Sequence, residues 1–244
     1  MKLIATLLLI ITLGCTAQAK QQNTHPATDS SILVGAARFD QYLPLLKGKR
    51  IAILTNQTAV IGSQKTHLVD TLLSLGVNII KIFGPEHGFR GTASAGATVK
   101  NSVDKKTGIP IISLYGSHNK PTPKDLKNVD VMIYDIQDVG TRFYTYINSM
   151  QRYMEAAAEN NKPIIILDRP NPNGFYVDGP ILEEDQKSGI GMQPIPIVYG
   201  MTIGEYAKML IGEGWLNTDS TPDLTVVKCL NYTHDSLYHL PVKP

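Results

Sequence analysis

The feature that most constrains this chain is a series of short, mainly apolar runs. Ile51-Ala52-Ile53-Leu54, Val77 to Phe83, Ile109 to Leu114, Val129 to Tyr134 and Pro163 to Leu167 recur along it, with Ile164-Ile165-Ile166 at the centre of the fifth. A strand with a continuous apolar sequence, rather than an alternating one, is covered on both faces. Helical patterns separate the runs: His67 to Leu75, closed by Gly76, and Arg142 to Asn160. Strands alternating with helices predict βαβ units and a parallel sheet. The expected fold is therefore α/β, an open, Rossmann-like, doubly wound and mostly parallel sheet. From Asn171 the rhythm loosens, and Gly174, Gly179, Pro180, Gly189, Gly191, Pro194 and Pro196 mark a long irregular excursion. A helix resumes over Thr202 to Ile211, with Thr202 as N-cap and Glu205 at the capping-box position. Leu224 to Leu230 is the last candidate strand.

Hydrophobic residues make up 43% of the 244, enough for a sizeable core, which excludes a disordered chain. Lys and Arg number 23 against 21 Asp and Glu, so the basic footprint of a nucleic-acid binder is missing. Two cysteines exclude a disulfide scaffold and a Cys-rich zinc site, and Cys229 reads as an inert, half-buried thiol.

The first residues read as an export signal, 1–19. Lys2 precedes an apolar run from Leu3 to Leu13 that is too short to span a bilayer. Two processing sites remain open. Ala17-Gln18-Ala19 suits an ordinary signal peptidase, and Leu13-Gly14-Cys15 is a loose lipobox that would leave a lipid anchor on Cys15. Residues 20–31 read as a polar tether, 32–234 as one Rossmann-like domain expected to carry any catalytic site, and 235–244 as a truncated linker toward a further domain. The expected location is exported and periplasmic, with the membrane reached only through that anchor.

In an open parallel sheet, ligands bind beyond the carboxyl ends of the strands. Those ends carry Asn56, then Pro85-Glu86-His87-Gly88-Phe89-Arg90, then Asp135-Ile136-Gln137-Asp138, then Asp168-Arg169-Pro170-Asn171. No G-x-G-x-x-G follows the first strand and no P-loop occurs anywhere, so the crevice serves something other than a dinucleotide, and no cofactor is expected. Two carboxylates across a cleft can work as acid and base, or as acid and nucleophile, on a glycosidic bond. Glu86, in a glycine-bounded loop with no capping duty, leads. Asp135, Asp138 and Asp168 compete for the second place. Asp138 has the alternative of capping the following helix, and Asp168 that of an ion pair with Arg169 or an Asx turn. Arg90, Arg142 and Arg169 suit an anionic substrate. Tyr144 and Tyr146 offer faces for a sugar ring, although neighbours two apart on a helix do not share a face. His87 with Asp135 or Asp138 is a weaker, metal-binding alternative, because no H-E-x-x-H spacing is present.

Four motifs, in order, resemble the NamZ family: Gly84-Pro85-Glu86-His87-Gly88-Phe89-Arg90-Gly91, Tyr134 to Tyr146, Leu167 to Pro172, and Tyr199 to Glu205. The resemblance runs from about Ile32 to the C-terminus. It implies exo-β-N-acetylmuramidase activity: removal of terminal N-acetylmuramic acid from peptidoglycan-derived muramyl saccharides. It also implies a Rossmann-like domain followed by a smaller one, with the active site in the cleft between them. Glu86 and His87, with Asp135 and Asp138, are then the catalytic candidates. Asn56, Arg90, Gln137, Arg142, Tyr144, Asp168, Arg169 and Asn171 are the substrate-binding ones. The lactyl carboxylate of the sugar gives Arg90 or Arg142 a specific partner. The other readings are a non-catalytic cell-wall sugar-binding fragment and a metal-dependent hydrolase.

Overall fold

A computed structural model describes residues 31–91 and 101–243. The export signal, Cys15 and all of the tether except Ser31 lie outside these residues. Helix α1 (Phe39–Leu46) leads into β1 (Ile51–Thr55). A short hairpin, β2 (Val60–Ile61) and β3 (Thr66–His67), precedes α2 (Leu68–Ser74). There follow β4 (Ile79–Gly84), β5 (Ser102–Val103), β6 (Pro110–Ser113), β7 (Val131–Asp135), α3 (Tyr146–Glu159), β8 (Ile164–Leu167), α4 (Ile203–Gly212) and β9 (Leu224–Val227).

Seven strands form one sheet in the order β5-β6-β4-β1-β7-β8-β9, parallel throughout except for the edge strand β5. Leaving out β5, the order in space is third, second, first, fourth, fifth, sixth: the doubly wound Rossmann arrangement. The winding reverses between β1 and β7, which places the crevice beyond Thr55 and Asp135.

The period of two along each strand divides the core. Ala52, Leu54, Met132, Tyr134, Ile164 and Ile166 face α3 and α4. Ile51, Ile53, Val131, Ile133, Ile165 and Leu167 face α1 and α2. The continuous apolar runs thus arise because both faces are covered. Four elements lack a sequence signal: Pro44 interrupts the period of α1, and β2, β3 and β5 have only two residues each. The helix expected from Arg142 begins at Tyr146 instead, because the chain first turns through residues 142–145. Thr202 caps α4 with the complete capping box.

The chain before α1 packs against the carboxyl side of the sheet. Gly35 N–H donates to the Asp168 carbonyl at 2.8 Å. A Cβ on Gly35 would lie 2.1 Å from the Val227 carbonyl oxygen and 2.6 Å from Asp168 N. Gly35→Ala is expected to destabilise the fold by about 1–3 kcal/mol, read from the midpoint of urea denaturation. An unchanged midpoint would contradict this packing.

Candidate active site

The floor of the crevice is built from β1. Asn56 Oδ1 accepts from Thr58 N–H (2.9 Å) and from the Thr58 hydroxyl (2.6 Å), folding the chain into an Asx turn. Thr58 Oγ1 in turn accepts from Gln137 N–H at 3.0 Å, which joins the ends of β1 and β7. His67 Nε2 lies 2.8 Å from the Asn56 carbonyl, and its Nδ1 accepts from Val69 N–H at the start of α2. That pattern fixes the neutral Nε2–H tautomer, in keeping with burial, which lowers the His67 pKa.

The ion pairs correct several expectations. Arg169 does not pair with Asp168. Its Nε and Nη2 donate to Asp135 Oδ1 (2.5 Å) and Oδ2 (2.9 Å), and Nη1 donates to the Val60 carbonyl. The two side chains are 1% and 0% exposed, so neither Asp135 as a catalytic group nor Arg169 as a substrate ligand is accessible. Asp168 is also engaged, with Oδ1 accepting from Arg169 N–H and Gly204 N–H and Oδ2 from the Thr202 hydroxyl. It anchors the N-terminus of α4, and burial pushes its pKa up to about 6. Arg90 grips Asp70 and Asp104, which fastens the loop after β4 to α2 and β5. Arg142 donates to the carbonyls of Pro180 and Ile195 and so clamps the irregular excursion. Neither arginine matches the role of a substrate-carboxylate ligand. Their distance in sequence from these partners hid the assignments.

Two further candidates are loop braces. Gln137 Nε2 donates to the carbonyls of Asp138 and Pro170, both at 2.8 Å. Asn171 holds Met201 O and Asn173 N–H, and a Cβ on Gly140 (φ +77°) would lie 2.2 Å from Asn171 Oδ1. Only glycine fits there.

Glu86 and Asn56 come together beside Tyr146, with Tyr144 against Tyr146 and Asp138 near enough to act on Tyr144 electrostatically. The chain turns sharply after β4, with His87 (φ +67°) and Gly88 (φ +75°) both left-handed, and Glu86 is half-buried. Glu86 Oε1 accepts from the Tyr115 hydroxyl at 3.0 Å. The carboxylate lines a cavity of about 320 Å³ with Tyr115, Asn119, Thr145, Ser149 and Arg152. Tyr144 and Tyr146 meet edge to face, with centroids 4.9 Å apart. Both reach the site because Tyr144 precedes α3, so the helix-face rule does not apply to the pair. Burial raises the Tyr146 pKa, an effect that Asn56 opposes and Glu86 reinforces. Burial likewise raises that of Tyr144, where Tyr146 and then Asp138 add to it. Asp138 Oδ2 accepts from Gly140 N–H (2.7 Å) and from the Tyr199 hydroxyl. It therefore braces its own turn and caps no helix.

Among the described residues, six of the seven buried side-chain atoms without a protein partner gather at this edge. Thr55 Oγ1, Asn56 Nδ2, Gln57 Oε1, Ser113 Oγ, Gln137 Oε1 and Asp138 Oδ1 lie at the strand ends, the Asn56 amide next to Tyr146, and the seventh, Asn148 Oδ1, is on α3. Such groups are normally satisfied, so their concentration at the switch point marks a place made for a polar ligand or ordered water. Sequence reading places Tyr115 at the end of the third strand and Tyr199 at the start of the fourth motif but gives neither a role in the site, and it passes over Ser149 and Arg152. The last two follow Thr145 at helical spacings of four and three, a signal available in principle. No three or more His, Cys, Asp or Glu side chains converge as a metal site among the described residues. Cys229 Sγ donates to the Asp168 carbonyl, and burial pushes its thiol up to about 12. His234 is exposed, 2.9 Å from Glu205.

Fold and site define a doubly wound α/β protein that presents carboxylates and phenols, not a phosphate loop, at its switch point. A family model described as "Exo-beta-N-acetylmuramidase NamZ, N-terminal" matches residues 51–244. The chain belongs to this family. It is 50% identical over 188 residues to the peptidoglycan beta-N-acetylmuramidase NamZ of Bacillus subtilis (strain 168), covering 77% of this chain and 44% of that protein. The crystal structure of a DUF1343 family protein from Bacteroides fragilis NCTC 9343 superposes with a TM-score of 0.78 at 51% identity, over 87% of this chain and 56% of that one. A second protein of the same description and source gives 0.76 at 41% identity, over 84% and 52%. The chain spans about half the length of these relatives.

Two outcomes are expected. Removing one partner of the buried pair, by Arg169→Met or Asp135→Leu, costs about 3–5 kcal/mol, and the double variant recovers much of the loss. Chemical denaturation of the three variants measures this, and additive losses would contradict it. Asp138 provides the second. Burial raises its pKa from 3.8 to about 6, so in that window the native chain holds a proton that the unfolded chain has released. The wild type therefore loses stability as pH rises from about 4 to 6, relative to Asp138→Asn, and the difference levels off above 6. A flat difference across the window would show that Asp138 ionises normally.

Proposed function

We propose that this chain carries the catalytic acid of an exo-acting glycoside hydrolase that releases non-reducing-end, β-linked N-acetylmuramic acid from peptidoglycan fragments. One observation carries the reading: a half-buried glutamate, Glu86, lines a sugar-sized cavity beyond a strand end, with a tyrosine hydroxyl on its carboxylate. Membership of the family, and the printed activity of the Bacillus subtilis relative, support it. The activity is proposed for the full-length protein, since the relatives are about twice as long.

In this reading Glu86 donates a proton to the glycosidic oxygen as the bond breaks, and takes one from water afterwards. Tyr115 holds the carboxylate in place. Asp138 is the second carboxylate: Asp135 and Asp168 have all their oxygens engaged, whereas Asp138 Oδ1 has no protein partner. Tyr144, half-buried, offers a face to the sugar ring, and the buried Tyr146 backs it edge to face. The protein works outside the cytoplasm, reached through residues 1–19, either free in the periplasm or anchored by a lipid on Cys15.

The test is release of chromophore from a β-N-acetylmuraminide by the full-length protein, with the β-N-acetylglucosaminide as control. Glu86→Gln keeps the shape and removes the proton, so kcat should fall by on the order of 10²–10⁴. Near-normal turnover by that variant would remove Glu86 from the mechanism. Binding of the muramyl sugar without any product would leave a sugar-binding protein in place of an enzyme.

A further inference from the structure

The geometry points to Arg152 as the residue that recognises the carboxylate distinguishing a muramyl sugar from a glucosaminyl one. This rests on the function proposed above and names its specificity determinant. Every other arginine among the described residues already has a partner. Arg38 donates to the Lys228 carbonyl, Arg50 to Asp130, Arg90 to Asp70 and Asp104, Arg142 to two carbonyls, and Arg169 to Asp135. Arg152 makes no ion pair or hydrogen bond among the described residues, although it is half-buried. A guanidinium with no protein acceptor keeps its N–H donors for water or a ligand.

Its position is the second observation. Arg152 lines the same cavity as Glu86, and among the described lining residues these are the one base and the one acid. Thr145, Ser149 and Arg152 follow one another along a single face of α3. Glu86 and Arg152 line one cavity of about 320 Å³, so a pyranose bound in it can hold its glycosidic oxygen toward Glu86 and a ring substituent toward the guanidinium. Leu114 and Ile190 add apolar surface to the cavity, matching the methyl group of a lactyl ether. Gly189 lies beside the guanidinium: a Cβ there would stand 3.9 Å from Arg152 Nη2, an ordinary contact distance. Arginine suits this task because its planar fork takes both oxygens of a carboxylate.

The experiment is calorimetric binding of N-acetylmuramic acid and N-acetylglucosamine to the full-length protein, as wild type, Arg152→Met and Arg152→Lys. Free sugars are used, so turnover plays no part. The wild type should bind the acid more tightly than the neutral sugar. Arg152→Met should weaken the acid by about 10- to 100-fold and leave the neutral sugar unchanged, while Arg152→Lys keeps part of the preference. A merely structural arginine would weaken both sugars alike. That result, an unchanged affinity for the acid, or a wild type with no preference would each overturn the assignment. The selective pattern in a protein that hydrolyses no muraminide would sink the proposed catalysis and leave Arg152 as the recognition residue.

Discussion

The bidentate contact between Asp135 and Arg169 holds the carboxyl edge of the sheet in one arrangement. Asp135 ends β7 and Arg169 stands two residues past β8, and a third donor of the same guanidinium reaches Val60 beside the β1 loop. Three chain segments converge on one fully desolvated charge pair. Such a pair adds little net stability over a well-packed apolar one. Its effect is directional: two parallel hydrogen bonds in a low-dielectric interior tolerate neither a rotation of the loops nor an exchange of partners. Gln137, Thr58 and Asn171 extend the same bracing through neutral hydrogen bonds.

The polar residues at this edge fall into two groups with different chemistry. One group is closed. Asp135, Asp168, Arg169, Arg90 and Arg142 have their charges matched by protein atoms and shape the loops. The other is open. Glu86 lines a cavity, Asp138 keeps one oxygen without a protein partner, and Arg152 has no anion among the described residues. Burial raises the Asp138 carboxyl to about 6, although hydrogen bonds from Tyr199 and from backbone N–H groups pull it down. Desolvation therefore outweighs hydrogen bonding there. The closed group keeps the open one in position, as a site with charged groups of both signs requires.

The fold was legible because its signal is local. The apolar runs at Ile51, Ile79, Val131 and Ile164 are long enough to require cover on both faces, and the capping box at Thr202 and Glu205 states where α4 begins. The elements that escaped notice are those with little periodicity, such as α1 with Pro44 inside it and the two-residue strands. The site was legible in part. Rules about strand ends gather Asn56, Glu86, Asp138 and Tyr144 at one edge, and they do lie there. The same rules cannot separate Asp138 from Asp135, three residues apart, one keeping an open oxygen and the other sealed by an arginine 34 residues away.

The sequence by itself determined the layered architecture, the absence of a phosphate loop, and which segments reach the carboxyl edge. These follow from patterns within a single strand, turn or cap. Only the tertiary structure decided which charge meets which. An ion pair depends on distances between residues far apart in the chain, and the same arginine is a ligand-binding group or a loop clamp according to what lies within about 3 Å of it. That is why Arg90, Arg142 and Arg169 turn out to be structural, and why Arg152, inconspicuous in the middle of a helix, is the cation facing the cavity of Glu86.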